Sequence, residues 1–419
     1  MVGQNFKRSA THPQVVWRYS VFDGLHGFRP ADKFRRDLTE FATPMLSRRV
    51  QYLTGIPYEV WIADAGYSEE LPIFSIILTI YGGNLRYITQ SMESILNQSY
   101  RNTELVLVVN GVDENVVAWL RVRLAGEARV TILAFESGIY DPAQPDATDP
   151  IPNLWNAGLF ASRGEYVYFM SYDDFLSANY VTHMVGLFSA DVACVSAAPS
   201  VRIVDDSGKV DYGRTLQLHE CNHRDRYVLG TELAQGVMSG KPRFLAPGGV
   251  LAHQVTTVLQ SGGFDFANDL TQLFKIGVHG LIGTEPRAVL NWRHHNKQAN
   301  RLQKELGLIY YRELLNLPKN YELEKVHTEV AGPIFAANFD SYLHRFAEEI
   351  AASSVRDSFR DQGVVPGFRA AIRVVKECPP KIAFRILVQQ IANLPIGLVK
   401  RHAPRLFSKV RQVARGFLI

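Results

Sequence analysis

Two adjacent carboxylates, Asp173 and Asp174, follow the apolar and aromatic run 165–171. A short run of this kind predicts a buried parallel strand. Because ligands of open α/β sheets bind at the carboxyl ends of strands, we expect the two carboxylates to face a ligand crevice. Like charges repel each other unless a cation or a donor lies between them, and a divalent ion shared with substrate phosphates meets that need. A solvated turn after the strand is the alternative interpretation.

The sequence around the acidic pair alternates strand and helix patterns. Strand patterns cover 74–81, 104–109, 129–135 and 165–171, helix patterns cover 85–97 and 153–162, and a loop rich in proline and aspartate covers 138–152. Repeated strand–helix–strand units predict a mostly parallel sheet with right-handed crossovers.

Three regions divide the 419 residues. Residues 1–72 have no clear period and are predicted to form an N-terminal accessory segment. Residues 73–300 carry the alternating strands and helices of an α/β domain. Residues 301–419 are predicted to be helical, since 301–316 and 334–362 carry mixed charges at helical spacing.

The positive charge of the chain is concentrated in its last part. The net charge is +4 overall, and residues 368–419 carry eleven Lys or Arg against one acid, so that the rest of the chain is negative. A basic amphipathic tail of this kind is attracted to an anionic membrane surface. A solvated helical face or a contact with a partner are the alternatives. No nucleic-acid recognition motif accompanies the charge, so we expect no nucleic-acid partner.

Composition indicates a globular protein of a reducing compartment. Hydrophobic residues make up 47% and charged residues 21%, and three cysteines stand far apart without a metal or redox motif. Residues 1–10 lack the apolar core of a secretory signal, and no run of about 20 apolar residues predicts a transmembrane helix. We therefore expect a cytoplasmic location, with peripheral attachment to the inner face of the membrane as an extension of it.

Five blocks of residues 73–300 together resemble family 2 glycosyltransferases. They are Ser75–Tyr81 with Ser91–Tyr100, Glu104–Asp113, Asn156–Gly158 through Tyr168–Asp174, Gly262–Asp269, and Trp292–His295. The resemblance implies the α/β GT-A fold, which is Rossmann-like with a mostly parallel sheet flanked by helices, and here it carries a helical C-terminal extension. The Q-x-x-R-W motif of processive synthases is absent, so the resemblance implies transfer of a single sugar. Ser171, Asn110 and Asn268 stand at positions where the family usually carries an acid.

The resemblance assigns the metal and the donor phosphates to the acidic pair. Asp173 would hold Mg²⁺ or Mn²⁺, which carboxylate ligands suit, and Asp174 would support it through water or by fixing the loop. His295 would add a metal ligand or a phosphate contact, and a structural histidine is the alternative. The metal neutralises the charge that builds on the leaving diphosphate.

The resemblance also assigns the acceptor and nucleotide contacts. Asp269 would be the base that activates the acceptor hydroxyl, with inversion of the anomeric centre, although a helix-capping role is the alternative. Tyr81, Asn110 and Asp113 would contact the base and ribose of the donor, with packing and turn formation as alternatives. Asn156 would support the donor site, with helix packing as its alternative.

These inferences combine into one leading function and two alternatives. The leading function is a metal-dependent hexosyl- or deoxyhexosyltransferase that uses a nucleotide-diphosphate sugar and a glycan or lipid-linked acceptor, in the assembly of a cell-envelope polysaccharide or glycolipid. A non-catalytic sugar-binding or scaffold protein is the first alternative. A nucleotidyltransferase is the second, although the turn after the first strand of the sheet lacks the glycine-rich phosphate loop such enzymes carry.

Overall fold

The computed structural model divides the chain into two compact units, 1–295 and 296–419. It describes residues 66–81, 84–135, 150–219, 226–240, 251–264, 271–295, 323–359 and 364–392, together with the backbone of 14–19 and 58–63. The expected helix over 301–316 lies outside these residues.

Within the described residues, the first unit is built on one sheet of eleven strands. The strands are β1 (Gln14–Tyr19), β2 (Tyr58–Ala63), β3 (Phe74–Ile80), β4 (Thr103–Asn110), β5 (Val130–Phe135), β6 (Tyr166–Ser171), β7 (Phe175–Leu176), β8 (Cys194–Val204), β9 (Tyr227–Leu229), β10 (Ala252–Gln254) and β11 (Leu281–Arg293). Their order is β1-β2-β5-β4-β3-β6-β10-β8-β11-β7, and β9 pairs with β11.

The centre of the sheet is parallel. Strands β5, β4, β3 and β6 form three successive parallel ladders, and β8 pairs with β11 in a fourth. Every residue of β3, β4 and β5 is buried, as expected for parallel strands covered on both faces. Antiparallel pairs flank this centre, and β10 lies antiparallel between β6 and β8.

Helices cover both faces of the sheet. They are α1 (Leu85–Leu96), α2 (Glu114–Arg123), α3 (Pro150–Ala161), α4 (Tyr180–Ala190), α5 (Tyr212–His219), α6 (Gly230–Met238) and α7 (Val255–Gln260), with a π-helical turn over Thr271–Ile276. Because side chains alternate along a strand, Ile76 and Leu78 pack with α1 and α4 in one core, and Ile77 packs with α3 and α7 in a second.

The described strands and helices of the first unit confirm most of the predicted pattern and correct it at two places. The predicted loop 138–152 ends earlier, because α3 begins at Pro150, and proline suits the first turn of a helix. Within the predicted accessory segment, β2 pairs with β5 and β1 pairs with β2, so that both strands extend the sheet.

The second unit is helical where it is described. Its helices are α8 (Leu323–Ala331), α9 (Pro333–Asp357), α10 (Val364–Glu377) and α11 (Pro380–Ala392). Helix α9 buries Phe335, Phe339, Leu343, Ala347 and Ala351 at the spacing of one helical stripe. The expected α/β fold, with a mostly parallel sheet flanked by helices and a helical C-terminal extension, is confirmed.

Candidate active site

The acidic pair lies at the carboxyl end of a central strand. Strand β6 is parallel to its neighbour β3 and ends at Ser171. Asp173 is 6% exposed and Asp174 is 9% exposed. The predicted position of the pair, directly after a buried strand that lies parallel to its neighbour, is confirmed. Burial of two adjacent carboxylates also means that each must have partners within the protein.

Asp173 is paired with His295. The distance from Asp173 Oδ2 to His295 Nε2 is 2.8 Å, and the side chains are 8% and 6% exposed. The register of the sheet explains this contact, because β7 pairs antiparallel with β11 and places Phe175 opposite Asn291. Continuing this register past both strand ends places residue 173 opposite residue 293, and His295 lies two residues further along, 122 positions from Asp173 in the sequence.

Asp174 fixes the turn that follows β6. Its Oδ1 accepts a hydrogen bond of 2.8 Å from the backbone N–H of Arg293. The Ser91 hydroxyl contacts the carbonyl oxygens of Tyr172, at 2.6 Å, and of Asp174. Burial, followed by the charge of Asp173, raises the pKa of Asp174 well above its ordinary value. Asp174 was predicted to support the metal either through a water molecule or by fixing the loop, and this geometry corresponds to fixing the loop.

Arg293 is a component of the site that the sequence reasoning did not select. Its side chain is fully buried, and its Nε donates to the Asp173 carbonyl over 2.9 Å. One Nη donates to the carbonyl of Asp206 over 2.8 Å, and the other donates to Gln90 Oε1 over 2.5 Å. The guanidinium also lies 4.5 Å from the ring centroid of Tyr87. Arg293 therefore joins the acidic turn, helix α1 and the 205–208 turn.

Burial lowers the pKa of Arg293, while the nearby charge of Asp174 opposes that effect. The sequence did contain a signal for this residue. Arg293 belongs to the closing block Trp292–His295, two positions before the histidine that was selected. Its partners Gln90 and the carbonyl groups of 205–206 form no motif, so only the folded structure identifies them.

Tyr81 lies beside the acidic turn at the end of β3. Its hydroxyl is 2.8 Å from Ser171 Oγ, and its ring meets that of Tyr172 edge-on with centroids 5.1 Å apart. Burial, together with the charge of Asp173, raises the pKa of Tyr81 well above its ordinary value. The hydroxyl is therefore neutral and available for hydrogen bonding.

Asn110 and Asp113 follow the neighbouring strand β4. Asn110 is the last residue of β4 and is 8% exposed. Gly111 follows with φ of 57°, in the left-handed region that favours glycine. Asp113 caps α2, since its Oδ1 accepts from the backbone N–H of Asn115 over 2.8 Å. The turn that was the alternative for Asn110 is present, Asp113 caps a helix, and a nucleotide contact of either residue stays a prediction.

Asn156 holds the glycine turn before the predicted base. Its amide donates to the Phe264 carbonyl and accepts from the Phe264 N–H, both over 2.9 Å. The buried Lys275 Nζ donates to the Gly263 carbonyl over 2.8 Å. Residues 262–264 are thus fixed by two polar side chains, whereas Asp269 itself lies outside the described residues.

The structure therefore brings Tyr81, Asp173, Asp174 and His295 into one cluster, with Arg293 beneath it. A metal would find two adjacent ligand atoms here, Asp173 Oδ2 and His295 Nε2. No group of three or more His, Cys, Asp or Glu suited to a metal occurs within the described residues. One carboxylate and one imidazole still fit a divalent ion that takes its other ligands from substrate phosphates and water.

Comparison with known proteins points to glycosyltransferases. No protein-family model matches the chain. An uncharacterised glycosyltransferase of Haemophilus influenzae is 28% identical over 156 residues, which are 35% of this chain and 58% of that protein. The chain thus spans less than two thirds of this relative. At the level of sequence, the similarity of this chain is to glycosyltransferases.

Among the solved structures that resemble the chain are those of TarS and PcManGT. TarS of Staphylococcus aureus, in complex with UDP-GlcNAc, has a TM-score of 0.49 at 12% identity, covering 77% of this chain and 89% of the TarS chain. The mannosyltransferase PcManGT of Pyrobaculum calidifontis, in complex with GDP-Man and Mn²⁺, has a TM-score of 0.43 at 14% identity, covering 78% of this chain and 89% of its own. With TM-scores below 0.5, neither structure defines the function of this chain.

Proposed function

We propose that this protein is a non-processive, metal-dependent glycosyltransferase of family 2, with a GT-A fold, that transfers one sugar from a nucleotide-diphosphate sugar to an acceptor hydroxyl with inversion. The observation that carries the proposal is the contact of 2.8 Å between Asp173 and His295 at the carboxyl end of a central parallel strand. The sequence similarity to a glycosyltransferase supports it independently.

Different described residues would contact the metal and the nucleotide of the donor. Asp173 and His295 would hold Mg²⁺ or Mn²⁺, and the ion, when bound, stabilises the charge on the departing diphosphate. Tyr81, held by Ser171, would offer its neutral hydroxyl and ring to the nucleotide. Asn110 and the turn to Asp113 follow the adjacent strand, so that they would contact the same nucleotide.

The acceptor hydroxyl would be activated on the side of the sugar opposite the leaving diphosphate. Asp269 is the proposed base, and a carboxylate placed there would take the acceptor proton as the new bond forms. Asn156 and Lys275 act on this side as positioning residues, because they fix the turn 262–264 that leads into it.

The sugar, the acceptor and the location are proposed from the resemblance of the sequence to family 2 glycosyltransferases. The donor would carry a hexose or deoxyhexose, and the acceptor would be a glycan or a lipid-linked glycan of the cell envelope. Cys194 is a free and buried thiol, as expected for a protein that works in the reducing cytoplasm.

Hydrolysis of a panel of nucleotide sugars, with Mn²⁺, Mg²⁺ or EDTA, tests the proposal. We expect slow, metal-dependent turnover of one donor. Asp173→Asn should lower the rate by about 10²–10³-fold, the usual effect of removing one electrostatic contact at a reacting centre. Asp340→Asn, at a carboxylate that is 61% exposed on α9, is the matched control and should leave the rate unchanged.

Equal thermal stability of the two variants would show that the loss is not due to unfolding. Retention of activity in Asp173→Asn would contradict the assigned role. No turnover together with no metal-dependent nucleotide binding would favour the non-catalytic alternative.

A further inference from the structure

The last two described helices of the second unit expose a basic surface. Helices α10 and α11 are consecutive, and Cys378 and Pro379 lie between them. We use the term basic face for their exposed cationic and aliphatic residues. These are Arg369, Ile372, Arg373, Val375, Lys376, Lys381, Arg385 and Val388.

Aliphatic side chains lie exposed among the cations of the basic face. Ile372 is 47% exposed, Val375 is 53% exposed and Val388 is 41% exposed. The inward stripes of the same helices are already buried, with Val374 at 0% and Ile386 at 3%. The exposed aliphatic residues are therefore not part of the core of the unit.

The basic face has little acidic compensation. Glu377 is the single acid in residues 364–392, and Glu348 of α9 pairs with Arg385. Within the described part of the chain, no acidic partner contacts Arg369, Arg373, Lys376 or Lys381. The stripes run at helical spacing, with Arg369, Arg373 and Lys376 along α10 and Lys381, Arg385 and Val388 along α11.

We propose that the basic face binds the surface of an anionic lipid bilayer, with α10 and α11 lying in the plane of the interface. Lipid phosphates complement the cations, and the boundary of the acyl chains accepts Ile372, Val375 and Val388. Nucleic acid would satisfy the charges, but the face offers no exposed aromatic ring on which a base could stack. Among the described helices, none has both the length and the hydropathy to cross a bilayer.

This inference is independent of sugar transfer, because it concerns only the second unit and is measured without substrate. The experiment is co-sedimentation of the full chain with vesicles of phosphatidylcholine alone or with added phosphatidylglycerol. We expect binding to the anionic vesicles that weakens with salt. Arg373→Glu with Lys376→Glu should weaken it by at least about thirtyfold, given the usual contribution of each cation near such a surface.

The matched control reverses Lys325 and Arg356, two exposed cations of the same unit on α8 and α9. This control has the same net charge as the test variant and should bind as the unmodified chain does. Ile372→Ser with Val375→Ser should weaken the binding that remains at high salt. Three results would overturn the proposal. They are equal binding to neutral and anionic vesicles, equal loss of vesicle binding in the control variant, and binding of RNA by a chain that does not bind anionic vesicles.

Discussion

At the scale of single residues, the candidate site depends on which backbone groups Arg293 can reach. The acidic turn and the 205–208 turn both present carbonyl oxygens to its guanidinium. Buried carbonyl groups without a donor cost free energy, so one planar donor with several N–H groups stabilises both turns together. His295 lies two residues further along, so its position opposite Asp173 depends on the same anchor.

Arg293→Lys tests this anchoring role. Lysine keeps the charge but cannot serve all the carbonyl groups and Gln90 at once, so we expect the free energy of unfolding to fall by about 2–4 kcal/mol. Metal-dependent nucleotide affinity should fall as well, because Asp173 and His295 lose their alignment. Denaturant unfolding and nucleotide titration in the presence of Mn²⁺ measure the two effects.

Arg287→Lys is the matched control in the same strand. The side chain of Arg287 is 71% exposed and pairs with Glu285, so its replacement should leave the free energy of unfolding almost unchanged. Unchanged nucleotide affinity in a folded Arg293→Lys variant would contradict the positioning role.

At the scale of elements, the local periodicity of the sequence predicts the central strands well. The runs 74–81 and 104–109 are apolar and end in turn residues, and β3 and β4 occupy them. Local periodicity does not predict which distant segments of the chain pair with each other. Strand β7 has only two residues and exists because β11 pairs with it, so no local pattern could have placed residue 173 next to residue 295.

Gly158 in α3 has one role by the resemblance and another by the structure. The resemblance places this glycine in a block near the donor, whereas the structure shows a close approach of α3 to the sheet. A Cβ at position 158 would lie 2.4 Å from Ile77 Cγ2 and 3.1 Å from Val108 Cγ2. The absence of a side chain therefore sets the distance between helix and sheet.

We expect Gly158→Ala to destabilise the protein by about 1–2 kcal/mol, because overpacking exceeds the gain in helix propensity. Gly186→Ala in α4 is the matched control, since nothing lies within 4 Å of a Cβ there. That control should stabilise the protein by about 0.5–1 kcal/mol. Denaturant unfolding measures both, and a stabilising effect at position 158 would show that the sheet side chains move aside.

At the scale of the whole molecule, the sequence could not reveal which polar residues are buried far from the site. Glu104 and His253 are fully buried, although Glu is rarely buried without a partner and His is only intermediate in its tendency to be buried. Glu104 is neutralised by Arg163, with Nε and Oε1 2.7 Å apart. Burial of this kind follows from the order of strands, which depends on contacts across the whole first unit.

His253 is held as a neutral imidazole inside the sheet. Its Nε2 lies 3.2 Å from Gln272 Oε1, which only accepts, so Nε2 carries the proton and Nδ1 accepts from the Ser196 hydroxyl over 2.8 Å. Desolvation lowers the pKa of His253 to about 4. Protonation would leave a charge in the core and remove the acceptor of the Ser196 hydroxyl.

The lowered pKa makes the stability of the protein dependent on pH. Between about pH 6.5 and pH 4 the unfolded chain binds a proton at His253 that the folded chain does not, so stability falls as the pH falls through this window. We expect this residue alone to cost about 2 kcal/mol between pH 7 and pH 5. Urea unfolding of His253→Gln should lack this loss of stability between pH 7 and pH 5. The His344→Gln variant, which changes a histidine that is 54% exposed, should retain it. Equal pH dependence in the His253→Gln variant and the unmodified chain would mean that His253 takes up its proton at the same pH in the folded and the unfolded chain, and burial would then not lower its pKa.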